Sequence, residues 1–218
     1  MLSFTEENYL KAIYHLSQDS EKPVNTNSIA GMLDTKAASV TDMLKKLAEK
    51  KLIDYVPYQG VNLTSEGIKS ALKTVRRHRL WEYFLVEKLK YKWDEVHELA
   101  EELEHIPSDT LIDRLEAYLD YPKLDPHGDP IPDKEGRIRS RGLVPLSSLK
   151  SGQNGVISGV SEHSPSFLQY LDKTKLILGR KIKVDDIMDY DGSMRLSGDA
   201  FDTISISRDV AKNILIDV

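Results

Sequence analysis

Two imidazoles and two carboxylates at helical spacing, His97, Glu101, Glu104 and His105, are the residues of this 218-residue chain best suited to chemistry. Offsets of four, seven and eight residues return to one face, because a helical turn takes about 3.6 residues. Such a stripe is a mixed nitrogen/oxygen donor set, suited to divalent Mn, Fe, Co, Ni or Zn. A second pair, His78 and Glu82, lies upstream at i, i+4. Two antiparallel helices that each present His and Glu inward are how bundle proteins build metal sites. A solvated acidic helix with incidental histidines has the same spacing. What favours ligation is clustering: His78, His97, His105 and His127 all fall in or near residues 90–136, which hold 14 Asp/Glu against 5 Lys/Arg.

The elements that must position these groups follow from apolar periodicity. Tyr9, Leu10, Ile13, Tyr14 and Leu16 predict an amphipathic helix over residues 4–16, followed by a polar stretch, Ser17 to Asn25. Ile29, Ala30 and Leu33 predict a short helix, and Val40, Met43, Leu44 and Leu47 a second over residues 37–50. Joined by Asp34-Thr35-Lys36, they fit a helix-turn-helix, and the β-prone runs either side of Pro57-Tyr58-Gln59-Gly60 make it a winged helix. In such readers the start of the second helix faces the major groove. Those positions are Lys36, Ala37, Ala38, Ser39, Thr41 and Asp42, with Lys45 and Lys46 one turn on. Lysines attract phosphate, the hydroxyls hydrogen-bond phosphates or bases, and the alanines meet thymine methyls.

Thr64 or Ser65 should cap a long helix over residues 66–89, Asp94 a helix reaching His105, and Ser108 one reaching Leu119. Within the long helix, Arg76-Arg77-His78-Arg79 reads as a charged solvent face. Leu80, Trp81, Phe84, Leu85 and Leu89 offer apolar surface for a core or a dimer interface. Pro122, Pro126, Pro130, Pro132 and Pro145, with three glycines, mark residues 122–145 as a linker. The Val/Ile-rich alternation from Leu146 onward predicts a small β domain. The fold class is therefore a mainly α N-terminal winged helix and a helical domain, the latter open to a dimerisation role, with a small β domain. The boundaries are 1–65, 66–121, 122–145 and 146–218.

Composition narrows the function. With no cysteine, a disulfide framework, a thiolate site and a cysteine nucleophile are excluded. No apolar run reaches the ~18 residues of a membrane span and the start lacks signal-peptide order, so a cytoplasmic protein without membrane contact is expected. The net charge of -5 hides a gradient: residues 1–80 hold 12 Lys/Arg against 9 Asp/Glu. One region can meet phosphate and the other cations.

The chain resembles the diphtheria-toxin-repressor family of metal-dependent bacterial transcriptional repressors, within it the manganese-transport regulators. The carrying motifs are Glu7-Asn8-Tyr9-Leu10-Lys11-Ala12-Ile13-Tyr14, Arg77-His78-Arg79-Leu80-Trp81-Glu82, Val96-His97 through Glu104-His105 with Ser108-Asp109, and Asp125-Pro126-His127-Gly128 with Pro130-Ile131-Pro132. The resemblance covers essentially the whole chain and implies an SH3-like (FeoA-like) C-terminal domain. It also implies a homodimer that binds double-stranded operator DNA when Mn²⁺ or Fe²⁺ is present, with no organic cofactor and no catalysis. By motif, it implies one metal site at Asn8, Glu101, Glu104 and His105. A second would draw on His78, Glu82 and His97, with Asp125, His127, Glu162 or His163 as further ligands. Glu101 stands where iron-type members carry cysteine, and a hard carboxylate suits Mn²⁺. Asn8 stands where many manganese members carry Asp, so it binds through its carbonyl oxygen or defers to Glu7. Lys11 stands where some relatives place a second acid, which favours two separated sites.

The expected mechanism is a co-repressor switch. Without metal the acidic cluster repels itself and leaves the DNA-reading heads mobile; metal ties the first helix to the helix of Glu101 and Glu104 and fixes the heads about 34 Å apart, one DNA turn. The alternatives are a metal-independent winged-helix regulator and a metalloenzyme; against the enzyme, no separate nucleophile, general base or phosphate-cradling loop is legible.

Overall fold

Apolar spacing and caps account for the element order of the computed structural model, which describes residues 2–18 and 22–218; residues 19–21 of the expected polar stretch lie outside the described residues. In chain order these elements are α1 (Phe4–Gln18), α2 (Thr26–Met32), α3 (Ala37–Glu49), β1 (Ile53–Val56), β2 (Gly60–Leu63), α4 (Ser65–Glu87), α5 (His97–Leu103), α6 (Asp109–Tyr118), β3 (Val144–Pro145), a 3-10 turn (Leu146–Ser148), β4 (Asn154–Val160), α7 (Pro165–Thr174), β5 (Lys181–Ile187), β6 (Met194–Gly198), β7 (Phe201–Ile206), α8 (Arg208–Lys212) and β8 (Ile214–Asp217). They form two units: Met1–His78, Glu101–Arg114 and Ile131–Ile138 in the first, Arg79–Ala100, Leu115–Pro130 and Arg139–Val218 in the second.

In the first unit α1 opens with a reciprocal cap. Ser3 N donates to Glu6 Oε2 at 2.9 Å, and Glu6 N donates to Ser3 Oγ at 3.3 Å, so two donors at the helix start are satisfied. Asn25 Oδ1 accepts from Ser28 N at 2.8 Å and starts α2. The stripe Val40, Leu44 and Leu47 buries α3 against Leu10, Ile13 and Ile29. The wing pairs Ile53 with Leu63 through to Val56 with Gly60, and Val24 bridges Val61 alongside. Gly60 holds φ +107°, where a Cβ would lie 2.8 Å from the Val24 carbonyl oxygen, so a side chain there would break this three-strand contact.

Thr64 caps α4 by accepting from Gly67 N at 3.1 Å. A Cβ on Gly67 would fall 1.9 Å from the Leu52 carbonyl oxygen, so α4 meets the base of the wing through bare backbone. Gly67→Ala is expected to destabilise the protein by about 1–3 kcal/mol through overpacking, although alanine is the better helix former. Denaturant unfolding reads this directly; an unchanged midpoint would mean that α4 does not press on Leu52.

Two expectations are corrected here. The helix expected from Asp94 to His105 is only His97–Leu103, and Glu104 and His105 lie in the following turn, closed by Ile106 N donating to Leu103 O at 3.2 Å before Pro107. The basic run on α4 is no solvent face, for Arg76, Arg77 and Arg79 are buried. Each guanidinium has an acid: Arg76 meets Asp113 at 2.9 Å, Arg77 meets Glu7 at 2.7 Å and Arg79 meets Asp129 at 3.0 Å. Pairing offsets the cost of desolvating them.

The second unit is built on a sheet in the order β3-β8-β4-β5-β6-β7, every neighbouring pair antiparallel. In β5, Ile182 and Val184 are buried while Lys181 and Lys183 are exposed, the period-two pattern the sequence carries. Ile157, Leu196, Ile206, Ile214 and Ile216 complete the core with Leu168 and Leu171 of α7, which begins at Pro165. Part of the Pro-rich segment in this unit is folded rather than a free connector. Leu124 bridges Pro130, and Asp125 Oδ1 accepts from His127 N at 2.8 Å and Asp129 N at 3.0 Å.

Candidate metal centres and nucleic-acid face

In the first unit, one turn of α1 meets the end of α5. Glu104 is fully buried and uses both oxygens: Oε1 accepts from Lys11 Nζ and Oε2 from His78 Nδ1, each at 2.6 Å. Lys11 Nζ also donates to Glu101 Oε1 at 2.6 Å. Glu7 takes Arg77 Nη2 on Oε1 at 2.7 Å and His105 Nδ1 on Oε2 at 2.8 Å. A carboxylate only accepts, so His105 Nδ1 donates to Glu7, and in the neutral ring Nε2, 3.8 Å from Glu104 Oε1, carries the lone pair. Phe4 stacks on that ring at 4.8 Å and holds its plane. Asn8 Oδ1 is buried with no hydrogen-bond partner. Burying an amide oxygen unpaired is costly, so this atom is available to a ligand.

Hard oxygens of Glu101, Glu104 and Asn8 with one imidazole nitrogen therefore fit a divalent cation of the Mn²⁺ type. Both Glu7 oxygens are engaged, one by Arg77 and one by His105, an arrangement in which an outer carboxylate can fix an imidazole's tautomer. His78, grouped by sequence with Glu82 and His97, has its Nδ1 on Glu104. The expected self-repulsion of the acids is also corrected, because Lys11 and Arg77 lie among them. Sequence reading set Lys11 where some relatives carry an acid but gave neither cation a pairing role, although Glu7 and Lys11 at i, i+4 on the face of Asn8 carry the signal.

The second unit holds another group. Single donor atoms of Glu82, Asp125 and His127, all buried, lie within 4.8 Å of one another. His127 Nε2 donates to the Trp93 carbonyl at 2.9 Å, so Nδ1, 3.6 Å from Glu82 Oε2, is the free lone pair when the ring is neutral. That nitrogen is buried without a hydrogen bond, an orphan facing acids, and it fits a cation too. Burial opposes charge on His127, but the Glu82 and Asp125 carboxylates outweigh it and raise the imidazole to about 9, so at neutral pH the ring carries a proton that a bound cation must displace. Burial first, then the charges of Asp129 and Glu82, push Asp125 up to about 7, against the pull of Arg79 and His127.

His97 Nδ1 lies 3.5 Å from Glu82 Oε1. His163 stacks on His127 at 4.7 Å with its Nε2 buried and unbonded, and burial followed by the His127 charge lowers its affinity for protons. Glu162 accepts from Ser164 N at 2.8 Å and, with His97 and His163, lines a cavity of about 410 Å³.

At the nucleic-acid face, Lys36, Ala37, Ala38, Ser39, Asp42, Lys45 and Lys46 are exposed, and Thr41 is half-buried. Thr41 Oγ1 donates to Ala37 O at 3.0 Å, and Lys45 lies 3.5 Å from Asp42, so these two are partly engaged within α3 itself. Tyr58 stands fully exposed at the wing tip with φ 66°.

Comparison with known proteins decides the family. Residues 1–61 match the model for the N-terminal DNA-binding domain of iron-dependent repressors, residues 64–133 that for their metal-binding and dimerisation domain, and residues 144–218 the FeoA domain. A solved manganese-dependent transcriptional repressor in complex with manganese is 34% identical, with 97% of this chain and 98% of that one covered and a TM-score of 0.90. The chain belongs to the iron-dependent repressor family. Within that family, the iron-dependent repressor IdeR of Mycobacterium leprae is 28% identical over 180 residues, 78% of each chain. The structure of IdeR from T. acidophilum is 29% identical over the full length of both, with a TM-score of 0.79. The family is one of transcriptional repressors rather than enzymes, and no helix among the described residues is long and apolar enough to cross a membrane.

Proposed function

We propose that this protein is a cytoplasmic homodimeric repressor whose binding to operator DNA is switched on by Mn²⁺, with Fe²⁺ as the competing effector. The observation that carries this reading is the double attachment of α1. Glu6 Oε1 accepts from Lys50 Nζ at 2.6 Å at the end of the reading helix α3, while Glu7 and Lys11 of the same helix reach His105, Glu101 and Glu104. Whatever draws α1 onto the acids therefore acts on α3.

In this reading Asn8, Glu101, Glu104 and His105 hold the first ion, Glu7 and Arg77 orient His105, and His78 supports Glu104. Glu82, Asp125 and His127 hold a second, with His97 and His163 at its edge. A bound divalent cation supplies the charge that neutralises and cross-links these acids. Oxygen-dominated donors and the absence of thiol favour manganese over softer metals. Lys36 to Lys46 face the operator, with boundaries at 1–65, 66–121, 122–145 and 146–218 separating reading head, metal-binding segment, connector and β domain.

Anaerobic titration of operator affinity tests this. With saturating Mn²⁺, binding should tighten by about 5–150-fold over chelator, the range expected of an allosteric coupling, with Zn²⁺ less effective. Equal affinity in chelator and in Mn²⁺ would refute it.

A further inference from the structure

We infer that Lys11 is a resident cation at the first metal centre, competing with the activating ion for Glu101 and Glu104 and so setting the metal concentration at which the repressor responds. The inference rests on the metal-dependent reading above and goes beyond it. Lys11 Nζ donates to Glu101 Oε1 and to Glu104 Oε1, each at 2.6 Å, across about ninety residues of sequence. Its side chain is only 11% exposed and Glu104 not at all, so solvent screens these contacts weakly. The oxygens that Lys11 occupies are those that a divalent ion would need.

Charge bookkeeping supports competition. The carboxylates Glu7, Glu101 and Glu104 meet the permanent charges of Lys11 and Arg77, with the imidazoles of His78 and His105 beside them. Arg77 pairs with Glu7 at 2.7 Å, whereas Lys11 bridges both donor carboxylates, with His78 Nδ1 beside them at 2.6 Å from Glu104 and 4.0 Å from Glu101. With Lys11 in place a dication meets a site of small net charge; without it the site is one unit more negative. At 35% exposure Glu101 forms the open edge of the centre, the side from which Lys11 can yield. Together with the Glu7–His105 bond, Lys11 ties α1 to the end of α5, so these contacts hold the acids together rather than splayed.

The test is direct measurement of Mn²⁺ binding by calorimetry on the full-length protein, comparing wild type with Lys11→Met, Lys11→Gln and Lys11→Arg. The neutral variants should bind Mn²⁺ at least about tenfold tighter, while Lys11→Arg, which keeps the charge, stays within about threefold of wild type. The Mn²⁺ concentration giving half-maximal operator binding should fall in step. Thermal melting gives a second readout: in chelator the neutral variants melt lower than wild type, and Mn²⁺ restores them by a larger increment. Neutral variants that bind Mn²⁺ no more tightly than wild type would overturn the inference while leaving the metal-dependent reading intact. Neutral variants that fold neither in chelator nor in Mn²⁺ would overturn it as well, by making Lys11 a member of the core. A wild type that binds no Mn²⁺ would remove the reading on which it stands.

Discussion

Glu104→Gln is expected to abolish Mn²⁺-stimulated operator binding, lowering Mn²⁺ affinity by more than about 100-fold. Glutamine keeps the side chain's shape but replaces an anion with a neutral amide, which cannot serve as a charged ligand. Glu104 is fully buried and both its oxygens accept bonds, from Lys11 and from His78. The amide nitrogen must face one of these donors, so a stability loss of about 1–3 kcal/mol should accompany the functional one. Calorimetry measures the first and denaturant unfolding the second; circular dichroism establishes that the variant is folded under the binding conditions. Mn²⁺ affinity within about threefold of wild type would strike Glu104 from the ligand set.

Ala38→Glu should have an equally large effect on the other half of the switch. It sets a carboxylate at the exposed start of α3, where phosphates and base edges are expected. Operator affinity should drop by more than about 100-fold at every Mn²⁺ concentration, because the acid meets the phosphate backbone as like charge. Mn²⁺ affinity should stay at the wild-type value. Unfolding cannot explain such a loss: an acid in the first turn of a helix favours it by about 0.3–1 kcal/mol. Undiminished operator affinity would move the DNA to another face of the molecule.

The two variants also divide what was legible in the sequence from what was not. The stripe Val40, Leu44, Leu47 and the alternation around Ile182 and Val184 are local patterns, so the winged helix and the β domain could be read without coordinates. Polar residues at the start of α3 were placed by position alone, and they are exposed. The candidate metal ligands were legible as residue types, but how the fold groups them was not. His97, Glu101, Glu104 and His105 form one stripe only if one helix carries them all, whereas α5 ends at Leu103. His97 therefore turns to Glu82, and Glu104 to Lys11 and His78.

Least legible were the neutralising cations. A basic run on a helix is usually solvated, and nothing local in Arg76 to Arg79 says that each will be buried against an acid from a distant stretch. The same holds for Lys11, whose partners lie about ninety residues away. Ion pairs of long range leave no periodic trace; they emerge once the fold has chosen which helices meet. The turn from Asp125 to Asp129 was hidden for another reason, since its prolines and Gly128 are equally the marks of a loose connector.

The most direct test of the account is anomalous diffraction at the manganese edge from crystals grown with Mn²⁺. An ion coordinated by Glu101, Glu104, His105 Nε2 and the Asn8 carbonyl oxygen, with Lys11 withdrawn from the two carboxylates, is the predicted result. Anomalous density absent from that centre, with Lys11 still bridging Glu101 and Glu104 in protein that binds its operator only with Mn²⁺, would contradict it.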